Sequence, residues 1–310
     1  MKLIITIPVL NEEENIAAVI KEIPRQIQGI DKVEVLVFND GSTDKTAELA
    51  KQAGADHLYA HPKTQGLATT FKDALWAALE CGADIIVNTD GDNHYDQSKI
   101  PVLIEPIIKK EADIVIGSRK NLNTKHKVWN KVGSFIMTKW AGMPKYDVST
   151  GFRAYSREAA MKLGVYSLHT YCHTTLLSAQ DLKLVMKEIP IADRKVSRPS
   201  RLINNVPSHI WRAGWNIIGN IVIFRSMRFF GLVGGILLIL GIYPMLRFIY
   251  YFFVDNGSGH IQSLIIGSTL MMIGYLNIVL GMLGSSIGWS RKVSEEALYR
   301  VKKMELHNKK

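Results

Sequence analysis

Two long stretches without a charged residue lie in the last third of this 310-residue chain. Residues 229–246 and 261–289, 18 and 29 positions long, contain no Asp, Glu, Lys or Arg. A helix needs roughly 20 apolar residues to cross the hydrocarbon core of a bilayer, so both stretches are long enough, the first only just. Buried helices of a soluble core are the alternative, and the length of the stretches argues against it. We therefore predict a two-helix membrane hairpin at 229–289.

The positive charge of the chain is concentrated in the same region. The net charge is +10, yet residues 1–193 carry 23 Lys and Arg against 24 Asp and Glu, whereas residues 194–310 carry 15 against 4. A basic collar around membrane helices explains this distribution better than nucleic-acid binding does, so we expect contact with membrane lipid and no nucleic-acid partner. Basic residues flank the hairpin on both outer sides and are missing from its connecting loop at 255–260. The positive-inside rule then predicts that both termini and the N-terminal domain are cytoplasmic.

The N-terminal part alternates apolar runs of strand length with amphipathic segments. We predict buried strands at 3–7, 33–38, 84–87 and 113–116. Helices are expected near 12–23, 43–54, 66–81 and 97–110, with Ser42 or Thr43 as N-cap of the second. This alternation indicates an α/β fold with a Rossmann-like, mostly parallel sheet and helices on both faces.

The polar residues that follow three of these strands predict a ligand site. Asn11 and Glu12 follow the first strand, Asn39 and Asp40 end the second, and Asp90-Gly91-Asp92 follows the strand at 84–87. Ligands of such sheets bind beyond the carboxyl ends of the strands. Two carboxylates one residue apart can hold Mg²⁺ or Mn²⁺ together with diphosphate oxygens. Alone, this short motif is weak evidence for a metal site. Its position beside two other polar strand ends is what favours a metal and diphosphate site here.

Several short motifs occur in a fixed order along the chain, and as a set they resemble the signature of family 2 glycosyltransferases. The stretch at 149–157 resembles the polyprenyl-phosphate branch, which includes dolichol-phosphate mannose synthases and lipid-linked glucosyltransferases with two C-terminal membrane helices. The resemblance implies a GT-A-type catalytic domain. The motifs are Ile7-Pro8-Val9-Leu10-Asn11-Glu12, Asn39-Asp40-Gly41-Ser42-Thr43-Asp44, Gly66-Leu67-Ala68, Asp90-Gly91-Asp92 and Gly117-Ser118-Arg119.

The resemblance also implies roles for the residues of these motifs. Asp40 is expected to contact the base or the ribose of a nucleotide-sugar, and Asp90 and Asp92 to serve the nucleotide and the metal. His94 stands where the family often has Gln, and it is either a third metal ligand or an ordinary loop histidine. The remaining residues expected at the nucleotide-sugar are Pro8, Asn11, Glu12, Asn39 and Gly91.

Arginines are expected to bind the phosphate groups, because guanidinium groups match phosphate oxygens bidentately. Arg119 and Arg153 are the first candidates, although Arg153 is equally well explained by a structural pair with Asp147. Asp147 itself either orients the acceptor, accepts a proton, or fixes Arg153. In the basic segment 194–201, which resembles a loop of the family, Arg198 and Arg201 are expected at the diphosphate, and an anionic-lipid collar is the alternative.

The acceptor implied by the resemblance is a polyprenyl phosphate, either dolichyl or undecaprenyl. Such a phosphate carries a charge of about −1.5 to −2 at neutral pH and is already a nucleophile. The site then has to hold two anions together and stabilise the leaving group. We expect inversion at the anomeric carbon, with a UDP-hexose as the favoured donor and GDP-mannose as the second.

The predicted organisation is a catalytic domain at 1–203, an interfacial amphipathic helix at 204–228, the hairpin at 229–289 and a basic amphipathic tail at 290–310. Glycines of the hairpin permit close helix contact, and homo-oligomerisation is therefore expected. A processive polysaccharide synthase is the first alternative, but the Gln-x-x-Arg-Trp motif of such enzymes is missing from the sequence. A catalytically inactive membrane scaffold is the second, and the intact acidic residues argue against it.

Overall fold

The computed structural model describes residues 1–118, 146–148, 150–164, 171–191, 206–255 and 260–308, without the side chains at 206–218, 220, 221, 223 and 255. Three predicted phosphate-binding residues, Arg119, Arg198 and Arg201, lie outside this description. The chain divides into two compact units. The sheet unit comprises Met1–Phe135, Met143–Arg201 and Glu295–Lys310, and the helical unit comprises Ile136–Gly142 and Leu202–Ser294.

The sheet unit is built on a mixed sheet of seven strands in the order β3-β2-β1-β4-β6-β5-β7. Strand β6 runs antiparallel to β4 and β5, whereas every other pair is parallel. The four predicted strands are confirmed as β1, β2, β4 and β5, and the sequence analysis missed the other three. The strands are β1 Lys2–Val9, β2 Lys32–Asn39, β3 His57–Ala60, β4 Ile85–Asn88, β5 Ile114–Ser118, β6 Arg153–Ser156 and β7 Met186–Pro190.

Six helices of the described chain accompany this sheet, and the first four coincide with the predicted ones. They are α1 Ile16–Glu22, α2 Thr46–Gln52, α3 Leu67–Glu80, α4 Ile100–Ile108, α5 Arg157–Lys162 and α6 Cys172–Asp181. The central strands are buried on both faces because helices cover each side, which explains their uninterrupted apolar sequences. Leu3, Ile5 and Ile7 share one core cluster with Ile20 of α1 and Leu103 of α4.

The predicted N-cap of the second helix was wrong. Helix α2 begins at Thr46, two or three residues later than expected, and Lys45 stands at its N-cap position. The carboxylate of Asp44 accepts a hydrogen bond from the Thr46 backbone N–H at 3.0 Å. Ser42 and Thr43 instead bind the loop that follows β1, as described below.

Two long helices follow the sheet in sequence, α7 Val206–Asp255 in the helical unit and α8 Ile261–Asn308, which belongs to the helical unit up to Ser294. A non-helical residue, Arg225, breaks α7 into two parts. The segments Phe224–Val254 and Ile261–Asn308 are long and apolar enough to cross a membrane, and only 11% and 17% of their most apolar windows are buried by the protein. This low burial is unlike that of a core helix, which would be covered on most sides.

Glycines on α7 and α8 bring the two helices into close contact within one chain. A Cβ on Gly234 would lie 2.6 Å from the carbonyl oxygen of Gly274, and one on Gly241 would lie 3.0 Å from that of Gly267. Any larger residue at these positions would force the helices apart, so small residues are required. A Cβ on Gly235 would meet nothing within 4 Å. Most of the glycines that motivated the prediction of an oligomer therefore form the contact between α7 and α8 of the same chain.

Candidate active site

The loops that follow β1 and β2 are tied together at the carboxyl edge of the sheet. The Asn11 side-chain oxygen accepts a hydrogen bond from the Thr43 backbone N–H at 2.9 Å, and the Asn11 N–H donates to Ser42 Oγ at 2.9 Å. The Glu12 N–H donates to Thr46 Oγ1 at 2.8 Å. Asn11 has a φ of 53°, a left-handed conformation that Asn tolerates better than most residues. Two of the three polar strand ends thus form one continuous structure, while the buried Pro8 belongs to β1 itself.

The second strand ends in a turn that is stabilised by its own side chains. The Asn39 side-chain oxygen accepts from the Ser42 N–H at 2.9 Å. Asp40 is only 3% exposed, and its carboxylate accepts from the backbone N–H groups of Gln65 and Gly66 at 2.8 and 2.9 Å. Burial alone would raise the pKa of Asp40, but the hydrogen bonds from Gln65, His61 and Gly66 outweigh it and hold the pKa below its ordinary value. These contacts shape the turn. They also use much of the hydrogen-bonding capacity of the Asp40 carboxylate, which is expected to contact the base or the ribose of a nucleotide-sugar.

The third strand end, Asp90-Gly91-Asp92, packs against the first. A Cβ on Gly91 would lie 2.7 Å from Val9 Cγ1 and 3.7 Å from Glu12 Cγ. Only a glycine allows the acidic loop to approach the end of β1 so closely. The acidic loop and the Asn11–Glu12 loop are therefore neighbours, as the sequence predicted from their positions after parallel strands.

The carboxylate of Asp90 lies against a wall formed by Gly151 and Tyr171. A Cβ on Gly151 would lie 2.8 and 2.9 Å from the two Asp90 carboxylate oxygens and 2.8 Å from the Tyr171 hydroxyl. The Asn88 side-chain amide donates to the Gly151 carbonyl and to the Tyr171 hydroxyl, both at 2.9 Å. Burial, followed by Cys172 and Asp90, raises the pKa of Tyr171 well above its ordinary value, so its hydroxyl stays neutral.

The buried wall includes residues that the sequence analysis did not single out. Tyr95 is 5% exposed, and its hydroxyl accepts from the Gly151 N–H at 3.1 Å. The signal for Asn88 was present, since it is a polar residue at the end of an apolar strand that leads directly to Asp90. Tyr171 gave no such signal, because 81 positions separate it from Asp90 and only the fold brings the two together.

Asp92 and His94 form the exposed part of the acidic loop. Their side chains are 40% and 41% exposed, and His94 Nδ1 lies 2.7 Å from Asp92 Oδ2. Asn93, with a φ of 62°, turns the chain so that His94 folds back onto Asp92. In the described part of the chain, no three His, Cys, Asp or Glu side chains are grouped closely enough to hold a metal by themselves.

The donor set fits Mg²⁺ or Mn²⁺ only if the substrate supplies ligands too. Such ions are commonly held by one or two carboxylates together with substrate phosphates and water. Asp92 offers a carboxylate and His94 an imidazole, and both side chains are partly exposed to solvent, although His94 Nδ1 itself is turned toward Asp92. The metal-binding role of Asp90, Asp92 and His94 stays a prediction.

Arg153 lies fully buried within the sheet unit, at 0% exposure. Its guanidinium donates to the carbonyl of Cys172 at 2.9 Å, to Thr175 Oγ1 at 2.9 Å and to the carbonyl of Val148 at 3.1 Å. These bonds hold the backbone near Asp147 and the start of α6 in place. The guanidinium has no face open to solvent, and these three partners are not the predicted pair with Asp147. Both predicted roles of Arg153, the phosphate contact and the pair with Asp147, stay predictions.

Asp147 precedes Val148, whose carbonyl accepts a hydrogen bond from this buried arginine. Its backbone N–H donates to the Glu188 carboxylate at 3.0 Å. Burial, and then the charge of Arg153, lowers the pKa of His173 to about 4, while Asp147 acts in the opposite direction. Asp147 is thus part of the electrostatic surroundings of Arg153 and His173, and its catalytic role stays a prediction.

Comparison with known proteins identifies the family. The model described as Glycosyl transferase family 2 matches residues 4–164, more than half of the chain. This chain belongs to glycosyl transferase family 2. The matched region extends from within β1 through β6 and includes all the strand ends described above. The family assignment makes the chain a glycosyltransferase.

Two curated relatives act on lipid phosphates according to their names. The UDP-N-acetylglucosamine–dolichyl-phosphate N-acetylglucosaminyltransferase of Methanococcus voltae is 29% identical over 211 residues, covering 60% of this chain and 82% of its own. The undecaprenyl-phosphate mannosyltransferase of Micrococcus luteus is 30% identical over 170 residues, covering 50% of this chain and 66% of its own.

A solved structure shares the fold over much of this chain. Glucosyl-3-phosphoglycerate synthase from Mycobacterium tuberculosis, crystallised with Mn²⁺, uridine diphosphate and glucosyl-3-phosphoglycerate, has a TM-score of 0.53 and 21% sequence identity. The match covers 70% of this chain and 80% of that one. The predicted mixed α/β fold of GT-A type is confirmed.

Proposed function

We propose that this glycosyltransferase moves a hexose from a nucleotide-sugar to a polyprenyl phosphate and produces a lipid-linked monophosphate sugar with inverted anomeric configuration. The proposal is carried by the three polar strand ends, which meet at one edge of the sheet. The same chain also has two exposed helices that are long enough to cross a membrane. Relatives that act on dolichyl and undecaprenyl phosphate support the choice of acceptor. UDP-hexose is the favoured donor and GDP-mannose the second.

The proposed reaction needs no strong general base. A lipid phosphate at neutral pH is already an anion, so the protein has to align it with the anomeric carbon and hold the donor diphosphate. The Asp90 carboxylate is fixed by Gly151 and Tyr171, whereas Asp92 and His94 are open to solvent. A bound Mg²⁺ or Mn²⁺ would neutralise charge on the leaving diphosphate. Asp92 and His94 are the residues that would hold it, with Asp90 beside them.

We further propose that α7 and α8 anchor the enzyme in the membrane, with the sheet unit and both termini in the cytoplasm. The lipid acceptor resides in the bilayer and the donor is soluble, so such an anchor would keep the catalytic domain near the headgroups. A single cysteine introduced in the 256–259 connection and one introduced at Lys310 test this arrangement. In intact cells, a membrane-impermeant thiol reagent is expected to label the first and spare the second, and the reverse pattern would refute the orientation.

The function is tested with purified protein, undecaprenyl or dolichyl phosphate, Mn²⁺ or Mg²⁺, and a panel of labelled UDP- and GDP-sugars. We expect transfer from one donor to the lipid phosphate and its loss when the metal is chelated. Asp92→Asn should lower kcat by roughly 100-fold or more, the scale of losing one electrostatic contact to a developing charge. Asp96→Asn is the matched control, since this nearby carboxylate caps the turn at 97–99 by accepting from the Ser98 N–H at 3.1 Å.

Each alternative has its own outcome in this assay. A polymeric product would indicate a processive synthase, and unchanged transfer by Asp92→Asn would refute the assigned role of the acidic loop. No transfer from any donor would favour the inactive scaffold. NMR of the isolated product determines the anomeric configuration, and a retained configuration would contradict the proposed inversion.

A further inference from the structure

The imidazole ring of His61 lies between two carboxylates beside the proposed nucleotide pocket. His61 Nδ1 is 2.9 Å from Asp40 Oδ1, and Nε2 is 3.1 Å from Asp73 Oδ2. The side chain is only 13% exposed, and the ring of Phe38 covers it at a centroid distance of 4.8 Å. A neutral imidazole has a single N–H, so it would direct the lone pair of its other nitrogen at a carboxylate. Only the imidazolium form donates to both.

His61 joins the end of β2 to the first half of α3. The His61 backbone N–H donates to the Asn39 carbonyl at 2.9 Å. Its ring binds Asp40 at the end of β2 and Asp73 within α3. Asp40 in turn accepts from the backbone of Gln65 and Gly66. The segment 61–66, which connects β3 to α3, is therefore fastened at both of its ends.

This segment forms the support of the turn at 39–42. A Cβ on Gly41 would lie 2.9 Å from the Thr64 backbone nitrogen and 3.0 Å from the Lys63 carbonyl carbon. Gly41 also has a φ of 77°, which favours glycine for a second reason. With so little space between the segment and the turn, a shift of the segment has to move the turn as well.

We propose that His61 is a positioning residue for the donor nucleotide, and that nucleotide binding depends on its protonation. This proposal rests on the proposed function in one respect: the turn at 39–42 is taken to be part of the pocket that binds the donor nucleotide. Among the described residues, the charged groups at the ring are Asp40, directly after β2, and, from α3, Asp73 with Lys72, whose Nζ lies 3.5 Å from Asp73. The bridge is intact while His61 is protonated and loses one hydrogen bond when it is not. Nucleotide affinity therefore falls as the pH is raised.

The test is calorimetric binding of UDP and of GDP to the full-length protein in detergent, with Mn²⁺, over the pH range in which histidine titrates. His61→Asn should bind the nucleotide roughly ten-fold more weakly at low pH, the scale of a lost hydrogen bond to a charged group. The affinity of this variant should not show the fall with rising pH that the wild type shows. Asp73→Asn should remove the same fall and retain affinity at high pH, because the Asn amide can donate to the unprotonated Nε2.

His57→Asn is the matched control. His57 is the first residue of β3, four residues before His61, and its Nε2 is 2.7 Å from Glu34 Oε2 rather than near the turn. This variant should reproduce the wild-type affinity and pH profile. Spectra of ¹⁵N-labelled histidine, assigned with His61→Asn, should show both ring nitrogens of His61 protonated at the pH where binding is tight.

Two results would overturn the proposal: wild-type nucleotide affinity in His61→Asn, or persistence of the wild-type fall with rising pH in both His61→Asn and Asp73→Asn. If His61→Asn does not fold, Asp73→Asn decides through the shape of its pH profile. The lipid-transfer assay separates this proposal from the proposed function. A protein that binds UDP or GDP with the expected dependence on His61 but transfers no sugar to lipid phosphate would refute the function and leave the role of His61 intact.

Discussion

The close approach of Gly151 to Asp90 makes a sharp prediction for Gly151→Ala. The new Cβ would lie 2.8 and 2.9 Å from the Asp90 oxygens, whereas ordinary contacts begin near 3.4 Å. Tyr171, on the other side, has no room to retreat, because it is 1% exposed and its ring is stacked on Phe71 at 3.8 Å. The Asp90 carboxylate therefore has to move by roughly half an ångström or more, as the contact distances require.

The expected cost has two components that are measured separately. Overpacking should destabilise the sheet unit by about 1–3 kcal/mol. Displacement of Asp90 should lower kcat/KM for sugar transfer by roughly 10- to 100-fold, since errors of about 1 Å in a catalytic constellation are this costly. Thermal unfolding in detergent measures the first component, and steady-state transfer from the nucleotide-sugar to the lipid phosphate measures the second.

Two further variants separate the causes. Leu103→Ala in α4 removes a fully buried side chain of the core and should cost about 2–5 kcal/mol with little change in kcat/KM. The double variant Gly151→Ala, Tyr171→Phe relieves the contact with the hydroxyl but not that with Asp90, so stability should recover in part and activity should not. Wild-type kcat/KM in Gly151→Ala, or an equal loss in Leu103→Ala, would refute the reasoning.

Three other predictions follow from buried or tightly packed groups. Hydrogen bonds from Lys2, Lys32 and His57 overcome the effect of burial and lower the pKa of Glu34 from 4.5 to about 2. Glu34→Gln should therefore cost about 3 kcal/mol of unfolding free energy above pH 4.5, and this difference should shrink as the pH falls from 4.5 towards 2; a pH-independent difference would contradict it. Arg153→Met should destabilise the protein by roughly 3 kcal/mol or more in denaturant unfolding, because three oxygens lose a charged donor. Gly274→Leu should lower the melting temperature in detergent because its Cβ would lie 2.8 Å from the Gly234 carbonyl oxygen, whereas Gly235→Leu, which meets nothing within 4 Å, should not.

The part of the fold that could be predicted from sequence is the part whose burial is nearly complete. Strands β1 and β2 are covered on both faces, so their sequences are runs of apolar residues that only a buried strand of a parallel sheet explains. The grouping of the polar strand ends could be predicted by the same reasoning. Polar residues directly after such strands have to gather at one edge, and the contacts of Asn11 with Ser42 and Thr43 agree with that expectation.

The missed strands lack this signal for physical reasons. Strand β3 is a four-residue edge strand with partly exposed side chains, and β7 at the opposite edge contains Lys187 and Glu188. Edge strands carry polar groups because one side of their backbone has no neighbour. Strand β6 begins with Arg153, whose guanidinium donates to oxygens of Val148, Cys172 and Thr175, all outside the strand. Its sequence gives no hint that this arginine is buried.

The antiparallel direction of β6 has a consequence for the active site that a purely parallel sheet would not have. Asn88 at the carboxyl end of β4 pairs with Arg153, the first residue of β6, so the residues before β6 lie at the ligand edge. The residues after β6 lie at the opposite end, where Arg157 donates to the Ala83 carbonyl at 2.7 Å. Substitutions at Gly151 should therefore affect catalysis as well as stability, and those at Arg157 mainly stability, although the two positions belong to one short motif. The direction of a single strand decides which half of that motif lies at the same edge of the sheet as Asn88 and the acidic loop.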